Sequence, residues 1–112
     1  MGRLVGSNRP GLVVKKLDGW TSLYSAAMQL PPSLMRAIAR DAGVHLWLDS
    51  DDAVYADSQF VGIHAATDGE KRLNLPRACQ VLDAVSGKPV TANGKAVTLP
   101  MKRAETALLS LQ

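Results

Sequence analysis

The spacing of apolar positions changes several times along the chain, and each change predicts a different element. Between Gly2 and Ala27, Leu12-Val13-Val14 forms a β-branched run closed by Asp18-Gly19, and Trp20 to Tyr24 follows with β-rich composition. An Asp-Gly pair between two such runs predicts a hairpin, because glycine takes positive φ without steric penalty. Pro31-Pro32 then opens a helix over 32–42, where a fixed φ and a missing N–H suit the first turn. Leu34, Ile38 and Ala42 make its apolar stripe, with Met35 and Ala39 beside it and Arg36 and Arg40 one turn apart on the other side. Gly43 is placed to end it as the left-handed residue.

Beyond Gly43 the period becomes alternating. Val44, Leu46 and Leu48 fall on one face and His45, Trp47 and Asp49 on the other, which predicts a strand ending at the turn Ser50-Asp51-Asp52. Val54-Tyr55 and Phe60 to Ala65 read as two short strands or one interrupted strand, and Asp68-Gly69 as the next turn. Leu73-Asn74-Leu75 alternates again, limited by Pro76. Cys79 to Val85 predicts a strand, Ser86 to Pro89 a turn, and Val90 the start of a short strand. Asn93-Gly94 is a type I′ hairpin signal leading into Ala96 to Leu99. Thr106 to Leu111 fits a strand through Ala107, Leu109 and Leu111. A helical period through Ala104, Ala107, Leu108 and Leu111 is the competing reading. The fold class expected is α+β, mostly β: an antiparallel sandwich or partly open barrel with one α-helix at about residues 32–42. The 112 residues suit a single domain, with a hairpin plus helix in 1–43 and a sandwich-like part in 44–112.

Composition narrows the class further. With 46% hydrophobic and 21% charged residues, collagen-like, disordered and disulfide-scaffold chains are excluded. No apolar run reaches the ~18 residues of a membrane span, and no window reads as a secretory signal, so a cytoplasmic location and no membrane partner are expected. Cys79 is the one cysteine and reads as a packed small hydrophobe. The net charge of +3 conceals a strong pattern. Residues 1–40 and 71–112 each carry +5, whereas 41–70 holds seven acids and no Lys or Arg. Basic groups dispersed over both ends, with aromatics at 4%, do not suit nucleic-acid binding. They suit solvated charge with pairing between segments.

The acidic middle also offers candidate chemistry. Asp49, Asp51, Asp52 and Asp57 could ligate a calcium-like divalent cation, although the spacing is not that of an EF-hand and Asx turns are the alternative. His64 with Asp68, joined by His45, could serve as base or metal holder in a metal-assisted esterase or lactonase. Trp20, Tyr24, Trp47 and Tyr55 could supply a sugar-stacking surface, with core or interface packing as the competing role. No serine sits in a nucleophile elbow, and Gly2 to Gly6 is not a nucleotide-binding loop.

The stretches "LPPSLMRAIARDAGVHLWLDSDDAVYADSQFVGIHAA", "RLNLPRACQVLDAVSGKPV" and "ETALLSL" resemble the C-terminal end of large bacterial glycoside hydrolases of the β-galactosidase type. In such proteins a catalytic barrel precedes an amidotransferase-like α/β domain and a small terminal β-sandwich. The resemblance implies that the helix and the strands before it correspond to the close of the α/β domain, and Val44 onward to the sandwich. It carries over no catalytic residue, because the paired acids of glycosidase chemistry belong to the barrel. The expectation is a non-catalytic accessory domain with weak carbohydrate contact, either a fragment or a stand-alone tail. Its expected partners are a second copy of itself or the upstream domains of a larger enzyme.

Overall fold

A computed structural model describes residues 2–3, 6 and 8–112. The chain divides into two compact units, Met1–Pro31 and Pro32–Gln112, so the break falls before the helix and not at Gly43. The helix therefore belongs with the sandwich, whereas the sequence reading grouped it with the hairpin inside one 1–112 domain.

The first unit is a three-stranded antiparallel sheet of β1 (Gly2–Arg3), β2 (Pro10–Leu17) and β3 (Trp20–Ser25), in that order. Leu17 faces Trp20 across the Asp18-Gly19 loop, and Gly19 takes φ = 78°, as the Asp-Gly signal predicts. The far end is tied by the Ala26 N–H donating to Gly11 C=O at 2.8 Å. None of residues 6 and 8–31 is buried.

The second unit opens with α1 (Pro32–Asp41). Its C-terminus closes as a Schellman motif: Val44 N–H donates to Ala39 C=O at 2.9 Å, Gly43 N–H donates to Arg40 C=O at 3.1 Å, and Gly43 has φ = 77°. Two antiparallel sheets follow. The larger has the order β4 (Ala53–Ala56), β5 (Phe60–His64), β11 (Thr106–Leu111), β7 (Val81–Asp83), β8 (Pro89–Val90). The smaller has β10 (Ala96–Met101) between β6 (Gly69–Asn74) and β9 (Ala92–Asn93). Alternation along the strands turns Val61, Ile63, Val81, Leu109 and Leu111 of one sheet and Leu73, Val97 and Met101 of the other into one core, which Leu48, Ala65 and Leu75 complete. The fold is thus α+β and mostly β, an antiparallel sandwich whose sheets do not close into a barrel. The strand at Thr106–Leu111 prevails over its helical reading because its alternate residues are needed on the inner face between β5 and β7.

Three local expectations change. Residues 44–49 form no strand: Val44 stays exposed while Trp47, from the opposite parity, packs on the core with Leu48. The segment is instead tied to Asn74, whose N–H donates to Trp47 C=O at 2.7 Å. The expected Cys79–Val85 strand is confined to Val81–Asp83, because the Asp83 carboxylate accepts the Val85 and Ser86 N–H groups and bends the chain. The hairpin at Asn93-Gly94 is shifted by one residue. Asn93 pairs with Ala96, which leaves Gly94-Lys95 as the loop, glycine-first with φ = 64°.

Candidate functional site

The acidic residues that suggest a cation site are distributed among separate structural tasks. Asp51 accepts a hydrogen bond from Arg36, which also donates to Ser50 C=O at 3.4 Å. Asp49 accepts from Arg40 at 2.9 Å. The two arginines of α1, one turn apart, thereby hold two acids spaced by two, the kind of pairing between segments that the charge pattern suggests. Asp52 lies inside, 1% exposed, 3.1 Å from the ammonium of Lys71, itself 5% exposed. Its Oδ1 accepts the Ala66 N–H at 2.8 Å and its Oδ2 accepts the Ser50 hydroxyl, while Lys71 also donates to Thr67 at 3.0 Å. Burial pushes the Asp52 carboxyl up, but the bonds from Ser50, Ala66 and Lys71 outweigh it and hold the group below the usual carboxylate range. Asp57 caps the β4–β5 turn, its Oδ1 accepting the Gln59 and Phe60 N–H groups at 2.7 and 2.8 Å, and these bonds lower its pKa. Among the described residues no three His, Cys, Asp or Glu side chains are placed to hold a metal.

His64 and Asp68 are likewise given different partners. The His64 Nδ1 lies 2.8 Å from Thr106 Oγ1 on an exposed row of the larger sheet. Asp68 accepts the Arg103 N–H at 2.6 Å in the turn before β11. His45 stands edge-on to Trp47, with ring centroids 5.0 Å apart, and its Nε2 bonds Asn74 C=O at 2.9 Å, which fixes the proton on that nitrogen.

Of the four candidate stacking residues, Trp47 packs against the core, and Trp20 and Tyr24 are exposed on the hairpin unit. Tyr55 stands at a hollow. It is 78% exposed on the outer face of the larger sheet, in register with Gly62 of β5, which is in register with Leu108 of β11. This row, with Phe60, Asp57 and Ala56, lines a depression of about 310 Å³. The Asp57 Oδ2 is left as an acceptor at its end, since the turn uses Oδ1. Phe60, Gly62 and Leu108 are members that sequence reasoning missed. The signal was present in parity: the buried Val61 and Ile63 alternate with Phe60 and Gly62, which must then face outward beside Tyr55.

Gly62 is the informative member. Its φ lies outside the left-handed region, and a Cβ built there would meet only Leu108 Cδ1 and Tyr55 C=O, each at 3.8 Å. Neither backbone conformation nor packing requires glycine, and glycine in a strand interior costs about 0.5–1 kcal/mol relative to alanine. What its missing side chain provides is the floor of the hollow, the situation in which a strand glycine allows close approach by another molecule.

No protein-family model, curated protein or solved structure matches the chain. The class defined by fold and site is an antiparallel β-sandwich with an aromatic hollow on an outer sheet face. Among the described residues no helix is long and apolar enough to cross a membrane.

Proposed function

We propose that this chain is a non-catalytic accessory domain, akin to the terminal sandwich of β-galactosidase-type glycoside hydrolases, that contacts neutral saccharides through the Tyr55 hollow. The observation that carries the reading is the row Tyr55–Gly62–Leu108 with its glycine floor. An aromatic ring beside a flat gap suits the apolar C–H face of a pyranose, and an ionised carboxylate at the rim suits its hydroxyls. Asp57 is such a group, because its turn bonds favour the charged form. The hollow is shallow and open, so weak binding is expected. The small-hydrolase alternative, with a divalent cation in the acidic middle, receives less support. His64 and Asp68 have separate partners, and Asp49, Asp51 and Asp52 are each engaged by a cation.

The test is titration of ¹⁵N-labelled protein with β-linked galactose and glucose oligosaccharides, following amide shifts. Saturable shifts confined to residues 55–62 and 108 are expected, weakened about tenfold by Tyr55→Ala, the loss of one stacking contact. Absence of saturable shifts at tens of millimolar sugar, or shifts unchanged in Tyr55→Ala, would overturn the reading.

A further inference from the structure

The opposite outer surface of the sandwich, on the smaller sheet, carries a second depression of different chemistry. Lys71, Leu73, Val97 and Met101 point into the core, so the intervening residues of β6 and β10 face outward. There Thr98 is in register with Arg72, and Ala96 with Asn93. With Thr91 these residues line a hollow of about 400 Å³, within the ~300–1,000 Å³ range of small-ligand sites. The small Ala96 side chain leaves the space open between its larger neighbours. Its polar groups are one guanidinium, two hydroxyls and one amide, and no carboxylate lines it.

The one charged group of this hollow is a cation. Among the described residues no ion pair or hydrogen bond engages the Arg72 guanidinium, so its N–H groups face the hollow's solvent and not a protein acid. Glu70, the nearest acid on the same strand face, lines a separate depression with Asp68 and Glu105. A guanidinium presents paired N–H groups in a plane that matches a carboxylate, and this arrangement is retained over water chiefly when the anion is held bidentately. The space is far larger than a lone carboxylate. The remaining hydroxyl and amide groups donate and accept, as sugar hydroxyls require. The absence of an acid from the lining disfavours ligands that carry an ammonium group.

We propose that this hollow is a binding site for an acidic sugar, a uronate whose ring carboxylate pairs with Arg72 and whose hydroxyls meet Thr91, Asn93 and Thr98. The site is independent of the Tyr55 hollow, which lies on the other sheet and has no cation in its lining.

Titration of the ¹⁵N-labelled full chain with glucuronate and galacturonate at low salt tests it, with glucose, acetate and inorganic phosphate as comparison probes. The expected result is saturable shifts of the residue 72, 91, 93 and 98 amides with a uronate. Glucose should produce at most a tenth of that affinity, and acetate or phosphate should bind more weakly than the uronate. Arg72→Gln should weaken uronate binding about tenfold or more, the loss of a charge-assisted pair. Arg72→Lys should restore part of it, Thr98→Val should weaken it by a smaller factor, and Tyr55→Ala should leave it unchanged. Thermal melts of the variants should match the parent, because the side chains substituted, at residues 55, 72 and 98, are all exposed. The proposal is overturned if glucose or phosphate matches the uronate at these amides, or if folded Arg72→Gln binds the uronate as the parent does. A loss of binding in Tyr55→Ala would also overturn it, by placing the sugar in the other hollow.

Discussion

At the scale of single residues, two positions carry costs that identify what they do. Gly62 gives up stability to leave a gap, so Gly62→Ala is expected to raise stability by up to about 0.5–1 kcal/mol, since the new Cβ meets ordinary contacts only. The same substitution should weaken saccharide binding at the Tyr55 hollow, and Gly62→Val should abolish it; denaturant melts and the sugar titration read the two effects separately. Lys71 is the opposite case, a charge placed inward at a core parity and made tolerable by Asp52 and Thr67. Lys71→Met leaves the Asp52 carboxylate buried without its counter-charge and should cost about 3–5 kcal/mol, whereas Lys71→Met combined with Asp52→Leu should recover most of that loss. Urea unfolding of the three proteins checks this, and a single variant as stable as the parent would contradict it. The carboxyl groups of Asp52, Asp57 and Asp83 are all held below the usual range, so the unfolded chain binds protons before the folded one does. Their contribution is therefore complete above the ordinary carboxylate range of ~4 and is lost as pH falls through the lowered values. Melting temperature should be level from pH 7 to about 5 and fall steadily below pH 4. Asp83→Asn should make that fall shallower, because one of the three depressed groups is removed.

Among the elements, α1 and the two sheets were legible to different degrees, for reasons that lie in how local each determinant is. The end of α1 is set within six residues, and Gly43 reads directly as the residue at φ = 77° that closes the Schellman pair. Gly43→Ala should accordingly cost about 1 kcal/mol or more through left-handed strain, detectable as a lower melting temperature with the helix signal retained. The hairpins at Asp18-Gly19 and Gly94-Lys95 are nearly as local, and the second was displaced by one residue because register follows inner-face burial of Val97 as well as turn preference. The segment 44–49 failed as a strand for a tertiary reason. Its alternation is genuine in the sequence, but its bonds go to Asn74 at the end of the outer strand β6, and its burial follows Trp47 and Leu48 instead of one parity. The individual tasks of the aspartates are set by equally distant partners. Which acid becomes a cap, a helix clamp or a buried counter-charge depends on cations 9 to 19 residues away, and only the parity of Lys71-Leu73-Leu75 hinted that one of them must go inside. Of the row that lines the Tyr55 hollow, the parity of β5 marks Phe60 and Gly62 as outward-facing, but Leu108 joins them through a strand pairing that spans 46 residues.

For the molecule as a whole, the division into two units separates a part that contains a core from a part that does not. All the buried apolar residues described lie between Leu48 and Leu111. Residues 32–112 should therefore unfold cooperatively on their own, with a melting temperature close to that of the full chain. The hairpin unit has the reverse character. On one face of β2 and β3 it places Val13, Leu17, Trp20 and Tyr24, each more than a third exposed, around Lys15, and β3 is an outer strand of its sheet with unpaired backbone groups and no proline inside it. Exposed apolar surface of this kind favours association, and an outer strand can pair antiparallel with the same strand of a second copy about a two-fold axis. We expect the full chain to shift from monomer to dimer as concentration rises in light scattering and sedimentation, while residues 32–112 stay monomeric over the same range. Trp20→Ser combined with Tyr24→Ser should move the shift to higher concentration by removing apolar contact, and proline at Leu23 should abolish it if backbone pairing along β3 carries the association. A full chain that remains monomeric at millimolar concentration would show that the hairpin does not mediate self-association. A dimer that persists in residues 32–112 would place the contact on the sandwich, where it would compete with the two hollows for the outer sheet faces.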